Sequence, residues 1–241
     1  MFTNYNMPSV SADSMNLQIT LNFRRIKTIE ERVNMKVKVT QETSWKRALN
    51  AARRTIGKEP LDKEPSDNWK AMVIMAEHSP IKLVEYLISF SDLRQWVGVH
   101  LLRHEHTLPF IHSQREDRRE DIDALVDKVL SIVGKDIKDE ESFCKRDYLL
   151  QGEKNDQDFV VNAQTLINIS RKRLCHCASK ETREAWVAVR DAIAEFDPVM
   201  AKAMVRNCVY RGRCPEMKCC GYYKTEACKK ECDDYWSLIN R

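Results

Sequence analysis

Arg103-His104-Glu105-His106-Thr107-Leu108-Pro109-Phe110-Ile111-His112-Ser113-Gln114-Arg115 concentrates cationic and hydrogen-bonding side chains at both ends of a short apolar stretch. Such groups are costly to bury unless a ligand or an opposite charge meets them. Leu93, Trp96, Val97 and Leu101 precede the run at helical spacing. They predict a helix from about Leu93 to His104, started by the cap pair Ser91-Asp92. Pro109 should break that pattern, and His112 to Arg119 reads as a polar segment. Arginine and histidine at a helix C-terminus ordinarily offset the helix dipole, so Arg103-His104 alone implies no ligand.

Toward the N-terminus, Val84, Tyr86, Ile88 and Phe90 alternate as a half-buried strand does. Leu17 to Phe23 and Met35 to Val39 show the same alternation and suggest a hairpin. Trp45 to Ile56 has helical spacing, Gly57 to Asn68 is a proline-containing loop, and Lys70 to Ala76 is a second helical piece. Toward the C-terminus, Ile122 to Ile132 predicts an amphipathic helix closed by Gly134, with a helical continuation over Ser142 to Leu150. Gly152 to Asp158 reads as a polar loop. Phe159 to Cys175 and Glu181 to Phe196 read as two long helices, and Asp197-Pro198 starts a short helix to about Arg206. The sum is an α+β fold, a mixed sheet flanked by long helices, over residues 1–206. A cysteine-rich basic tail occupies residues 207–241.

The bulk composition excludes several classes. With 241 residues, 43% hydrophobic and 32% charged, the chain can bury a core and is neither disordered nor membrane-spanning in character. The first residues lack the pattern of an export signal, which leaves a cytoplasmic protein as the expectation. A net charge of +4 is too mild to point to nucleic acid, whereas a phosphorylated small molecule needs only a few placed arginines.

Two further segments carry suitable groups. One is Lys145-Arg146. The other runs from Asn162 to Arg173, where helical spacing would put Asn162, Ile169 and Arg173 on one face over roughly 16 Å. An amide at one end and a guanidinium at the other suit a ligand with hydrogen-bonding edges and a phosphate or an ionisable ring.

The order and spacing of these segments resemble the flavin-dependent thymidylate synthases (the ThyX family). Arg103, His104, Ser113 and Arg115 match that family's R-H-R followed after seven residues by S-x-R. Ala51-Ala52-Arg53, His78-Ser79-Pro80, Arg146, Asn162-Ala163-Gln164, Asn168, Arg173 and Glu181 fall in its order, so the likeness covers roughly residues 45–200. Glu105 replaces the third residue of R-H-R, Ile111 stands at a glutamate position, Gln164 replaces the arginine of N-A-R, and His100 stands where a glutamine meets substrate.

The resemblance implies transfer of a one-carbon group from methylenetetrahydrofolate to carbon 5 of the uracil of dUMP, with FAD as cofactor and NADPH as reductant. Hydroxymethylation, or UMP as substrate, stays open as an alternative. It further implies that Arg173 polarises the uracil, that Arg115 and Arg146 hold the phosphate, and that His100 and Ser113 contact the nucleotide. Ser79, Arg103, His104, Asn162 and Asn168 would hold the flavin, in a homotetramer whose subunits share sites.

Six of the nine cysteines, Cys208, Cys214, Cys219, Cys220, Cys228 and Cys232, crowd into the tail. Their spacing is not the paired pattern of a regular zinc module. A zinc ion or an iron–sulfur cluster would explain the crowding, with Cys175 and Cys177 as further ligands if the tail folds back. Unliganded, partly buried thiols would explain it equally. A zinc-type nucleic-acid-binding module is the competing non-enzymatic reading of this tail.

Overall fold

The structure, a computed structural model, describes residues 35–133 and 143–239. The suggested strand at Leu17–Phe23 and the Gly134 cap lie outside the described residues. The fold is α+β. Among the described residues it comprises a four-stranded antiparallel sheet, in the order β1-β2-β4-β3, and nine α-helices. The strands are β1 (Lys36–Gln41), β2 (Glu85–Arg94), β3 (Leu108–Ile111) and β4 (Lys154–Asn162). The helices of the main body are α1 (Trp45–Thr55), α2 (Asp67–Met75), α3 (Gln95–Leu102), α4 (Ile122–Val133), α5 (Ala163–Arg173), α6 (Lys180–Ala194) and α7 (Pro198–Ala203). Those of the tail are α8 (Asn207–Arg211) and α9 (Glu226–Trp236). No helix among the described residues is long and apolar enough to cross a membrane.

Helices cover one face of the sheet. Tyr86, Ile88 and Phe90 of β2 and Phe159 and Val161 of β4 point into a core with Trp45, Leu166, Ile169, Trp186, Val189 and Ile193. Asp197 ties this core together. Its carboxylate accepts from Trp45 Nε1 at 2.6 Å, from the Tyr86 hydroxyl at 3.0 Å and from the Met200 amide at 3.1 Å. A carboxylate 1% exposed is tolerable only with such donors around it.

Three local expectations are corrected. The segment read as a polar loop and the start of a helix is β4, a central strand paired on both sides. Asn155 and Gln157 occupy its core-facing positions, so the apolar alternation that marks a strand is missing from its first half. Ser91-Asp92 does not cap α3. β2 continues to Arg94 through an irregularity between Phe90 and Leu93, where Asp92 takes a left-handed φ of 61° and its amide donates to Asp156. Pro109 lies inside β3, which is tolerated because β3 is an edge strand and proline there costs no ladder bond on its open side. In addition, the helix expected over Ser142 to Leu150 is, within the described residues, one 3-10 turn at Lys145–Tyr148.

α5 is fixed at both ends. Asn162 is its N-cap, and its side-chain oxygen accepts from the Thr165 amide at 2.9 Å. Near the other end Ser170 accepts from Trp186 Nε1 at 2.8 Å and donates back to the Leu166 carbonyl at 2.7 Å, locking α5 to α6. The tail helices pack on this body through a small core of Val205, Cys208, Val209, Cys228 and Tyr235.

Candidate functional site

The C-terminal ends of α3 and α5 meet. Arg173 donates from Nε to His104 Nε2 at 3.0 Å and from a terminal nitrogen to the His100 carbonyl at 2.6 Å. Since a guanidinium can only donate, His104 Nε2 must be the acceptor, which places the imidazole proton on Nδ1. Among the described residues no carboxylate pairs with Arg173. Its charge faces a neutral ring, a carbonyl at the negative end of α3, and the like charge of Arg103. Burial and Arg103 together lower the Arg173 pKa from its usual value. Burial, followed by the charges of Arg173, Arg103 and Lys172, pushes His104 down to about 4. The imidazole is therefore neutral near neutral pH and serves as a fixed acceptor.

Four expected site residues are thus brought together: His100, Arg103, His104 and Arg173. His100 is half-buried, shares a hydrogen bond with Thr182 Oγ1 at 3.2 Å and packs edge-on against Trp96. Asn162 does not share a helical face with Arg173 as the spacing suggested, because it caps α5, and Ile169 between them points into the core. Thr165 Oγ1 donates to the Glu105 carbonyl at 3.3 Å, tying the turn after α3 to the start of α5.

Ser113 and Arg115 lie in the turn after β3. Ser113 Oγ accepts from the Arg115 amide at 3.2 Å, which leaves its own hydroxyl proton to donate. Arg115 is exposed and makes two bonds to Asp117, at 2.9 and 3.1 Å. Arg146 is exposed on the 3-10 turn Lys145–Tyr148. That turn is held close to the Ser113–Arg119 segment by Lys145, which reaches Asp123 at 2.8 Å and Glu116 at 3.6 Å.

Ser79 begins a 3-10 turn and borders an apolar cleft of about 380 Å³ lined in part by Ala52, Trp69, Val73, His78 and Pro80. None of the residues lining that cleft belongs to the α3–α5 junction. Asn168 is exposed and accepts from Gln164 at 3.3 Å. Gln164 also donates to Glu77 at 2.8 Å, and Glu77 binds Arg171. Arg171 in turn lies over the Tyr210 ring, 3.6 Å from its centroid. Burial alone would raise the Glu77 carboxyl, but bonds from Arg171 and Gln164 outweigh it and hold the group below its usual range. Glu77 takes a left-handed φ of 48°. Sequence reasoning did not single out Glu77, Arg171 or Tyr210; only the unusual backbone of a non-glycine residue marks the place.

The six tail cysteines divide. Cys208 and Cys228 are buried and Cys232 half-buried in the small apolar core. Cys214, Cys219 and Cys220 lie on the outer loop, where Cys220 comes together with Cys175 and Cys177 from the turn after α5. Burial, then the neighbouring Cys175 and Cys220, pushes Cys177 up to about 11.

No protein-family model matches the sequence, and no curated protein does. Among solved structures, the chain is similar to a UMP/dUMP methylase, PolB from Streptomyces cacaoi, bound with 5-Br dUMP. The TM-score is 0.53 at 14% identity, and the match covers 71% of this chain and 95% of that one. At that identity the likeness is one of fold.

Proposed function

We propose that this chain modifies carbon 5 of the uracil ring of a uridine nucleotide, passing a one-carbon group from methylenetetrahydrofolate to dUMP. One observation carries the reading: Arg173 is half-buried, rigidly held by neutral acceptors beside Arg103, and unmatched by any carboxylate among the described residues. A desolvated, immobilised guanidinium without a counter-ion is what stabilises negative charge developing on a bound ring. Electron density drawn onto the uracil makes its carbon 5 nucleophilic without a covalent enzyme thiol. The shared fold with a UMP/dUMP methylase supports the same substrate class.

The remaining roles follow from what each side chain has free. Ser113 would donate its hydroxyl to the nucleotide. Arg115 and Arg146 would take the phosphate; Arg115 must exchange Asp117 for it, which costs little because an exposed ion pair is worth at most about 1 kcal/mol. His100 keeps one ring nitrogen for the substrate, while His104 holds Arg173 in place. Arg103, Asn162 and Asn168 would hold FAD, the proposed cofactor, with NADPH as its reductant; Ser79 would contribute from a cleft apart from the α3–α5 junction. A reduced flavin would supply the hydride that finishes the transferred carbon as a methyl group. Leu108 and Phe110, 61% and 63% exposed on edge strand β3, support a contact between copies on this side, and a homotetramer is the proposed assembly.

The test is direct. The protein is incubated separately with dUMP and with UMP, together with methylenetetrahydrofolate, FAD and NADPH, and the nucleotide is weighed by mass spectrometry. Gain of a methylene unit means methylation, and gain of a formaldehyde unit means hydroxymethylation. No mass change on either nucleotide, together with no uptake of flavin, would sink the reading.

A further inference from the structure

We infer that Cys175, Cys177 and Cys220 are ligands of a single zinc ion, with Cys214 or Cys219 as the fourth, and that this site staples the tail to the end of α5. The three sulfurs lie within 4.8 Å of one another although Cys220 is remote in sequence from the other two. Around tetrahedral zinc, with Zn–S of about 2.3 Å, ligand sulfurs sit about 3.8 Å apart. Closing the trio onto a cation therefore takes only small side-chain movements. An iron–sulfur cluster fits less well, because its own irons and sulfides would stand between the cysteine sulfurs and hold them farther apart.

A second observation points the same way. Two of the five thiols in this region receive a backbone N–H from the residue two positions on. Cys177 N donates to Cys175 Sγ at 3.5 Å and Gly221 N donates to Cys219 Sγ at 3.2 Å. Amides aimed at sulfur orient the side chains that a metal would gather. Cys214 and Cys219 are the candidates for the fourth position because both lie on the same loop as Cys220. Cys177 Sγ additionally reaches the Lys218 carbonyl at 3.7 Å, fixing the two segments face to face. Cys208 and Cys228 are buried in the apolar core of the tail, with Cys214 and Cys232 packed against it, and only Cys214 of these shares the loop of Cys220.

The consequence is positional. Cys175 follows Arg173 by two residues, so a cation bound here would anchor the end of α5 to the Cys214–Cys220 loop. The site does not depend on the proposed reaction.

The experiment uses the full chain, purified without added metal and analysed for zinc by mass spectrometry, then stripped and reloaded with cobalt. One zinc per chain is expected, together with a cobalt spectrum showing sulfur-to-metal charge transfer and a tetrahedral d–d pattern. Cys175→Ser with Cys220→Ser should lose the zinc, and Cys144→Ser should retain it. Of Cys214→Ser and Cys219→Ser, one should lose the tetrahedral cobalt pattern. The inference is overturned if stripped wild-type protein takes up neither zinc nor cobalt, if it binds iron instead, or if the double variant keeps its zinc. It is overturned equally if both fourth-position variants keep the pattern, or if mass analysis finds these cysteines disulfide-linked. The wild-type cobalt spectrum decides the matter even if the double variant fails to fold.

Discussion

Arg171 and Arg173 stand two residues apart near the end of α5, and the fold treats them in opposite ways. Arg171 is neutralised. It pairs with Glu77, its side chain is 16% exposed, and it lies flat on Tyr210. Arg173 is held as firmly but by groups without charge, next to another cation. A side chain built for stability is given its counter-ion; a side chain left without one retains its field for something that arrives later. The two bear the same chemistry, so their surroundings alone distinguish a structural arginine from a functional one.

The largest effect expected is on turnover. Arg173→Ala should cut nucleotide modification by about 10²–10³-fold, the usual cost of removing one preorganised charge-stabilising donor. Unfolding free energy should move by only about 1 kcal/mol, because the loss of two bonds to uncharged acceptors is offset in part by relief from the like charge of Arg103. Arg171→Ala should do the reverse, costing about 2–3 kcal/mol in denaturant titration by leaving Glu77 half-buried and unpaired. The figure stays below that of a fully buried pair because Glu77 keeps 27% of its side chain exposed. If both variants lose stability alike and activity alike, the distinction between them is void.

A third variant strikes only the support of Arg173. An added Cβ on Gly98 would fall 1.7 Å from Oε1 of Gln157, a side chain 1% exposed whose amide has no hydrogen-bond partner to hold it. Gly98→Ala should displace this amide and with it the seat of α3 on β4, at a cost of about 1–2 kcal/mol from overpacking. α3 carries the His100 carbonyl that Arg173 grips, so turnover should fall in this variant while the Glu77–Arg171 pair is untouched. Unchanged activity at reduced stability would mean that the position of α3 does not matter to the reaction.

The sequence made some of this legible and hid the rest for physical reasons. α1, α4 and α6 were readable because their apolar faces recur at helical spacing, and Arg103, His104 and Arg173 because their order resembles a known pattern. β4 was not, since Asn155 and Gln157 hold core-facing positions where a strand ordinarily shows apolar residues. Asn155 earns its burial by donating to the His112 carbonyl at 2.8 Å, a partner far along the chain. The same holds for the site. That His104 would hold Arg173 and that Glu77 would neutralise Arg171 are long-range pairings; the meeting of the tail with Cys175 and Cys177 was legible only on the condition that the tail folds back. Residue spacing reports only neighbours within one element, so it could not separate Arg171 from Arg173.

The smallest effect expected, and the most specific, is one of pH. His104 is pushed down to about 4 from an ordinary 6.5. Between these values the unfolded chain takes up a proton on this ring and the native chain does not, so native stability should decline as pH falls through that window. Glu77 behaves differently: its carboxyl is depressed below an ordinary 4.5, so the stability it gives Arg171 is intact throughout and is lost only at still lower pH. A fall in stability between about pH 7 and about pH 5 thus reports on the surroundings of Arg173 and not on those of Arg171. The measurement is the difference between wild type and His104→Gln in denaturant midpoints at the two pH values. Glutamine can still accept a bond from Arg173 but takes up no proton, and its midpoint should fall less. Equal falls would mean that His104 protonates as freely in the fold as outside it, and Arg173 would then lose its Nε2 acceptor in mild acid.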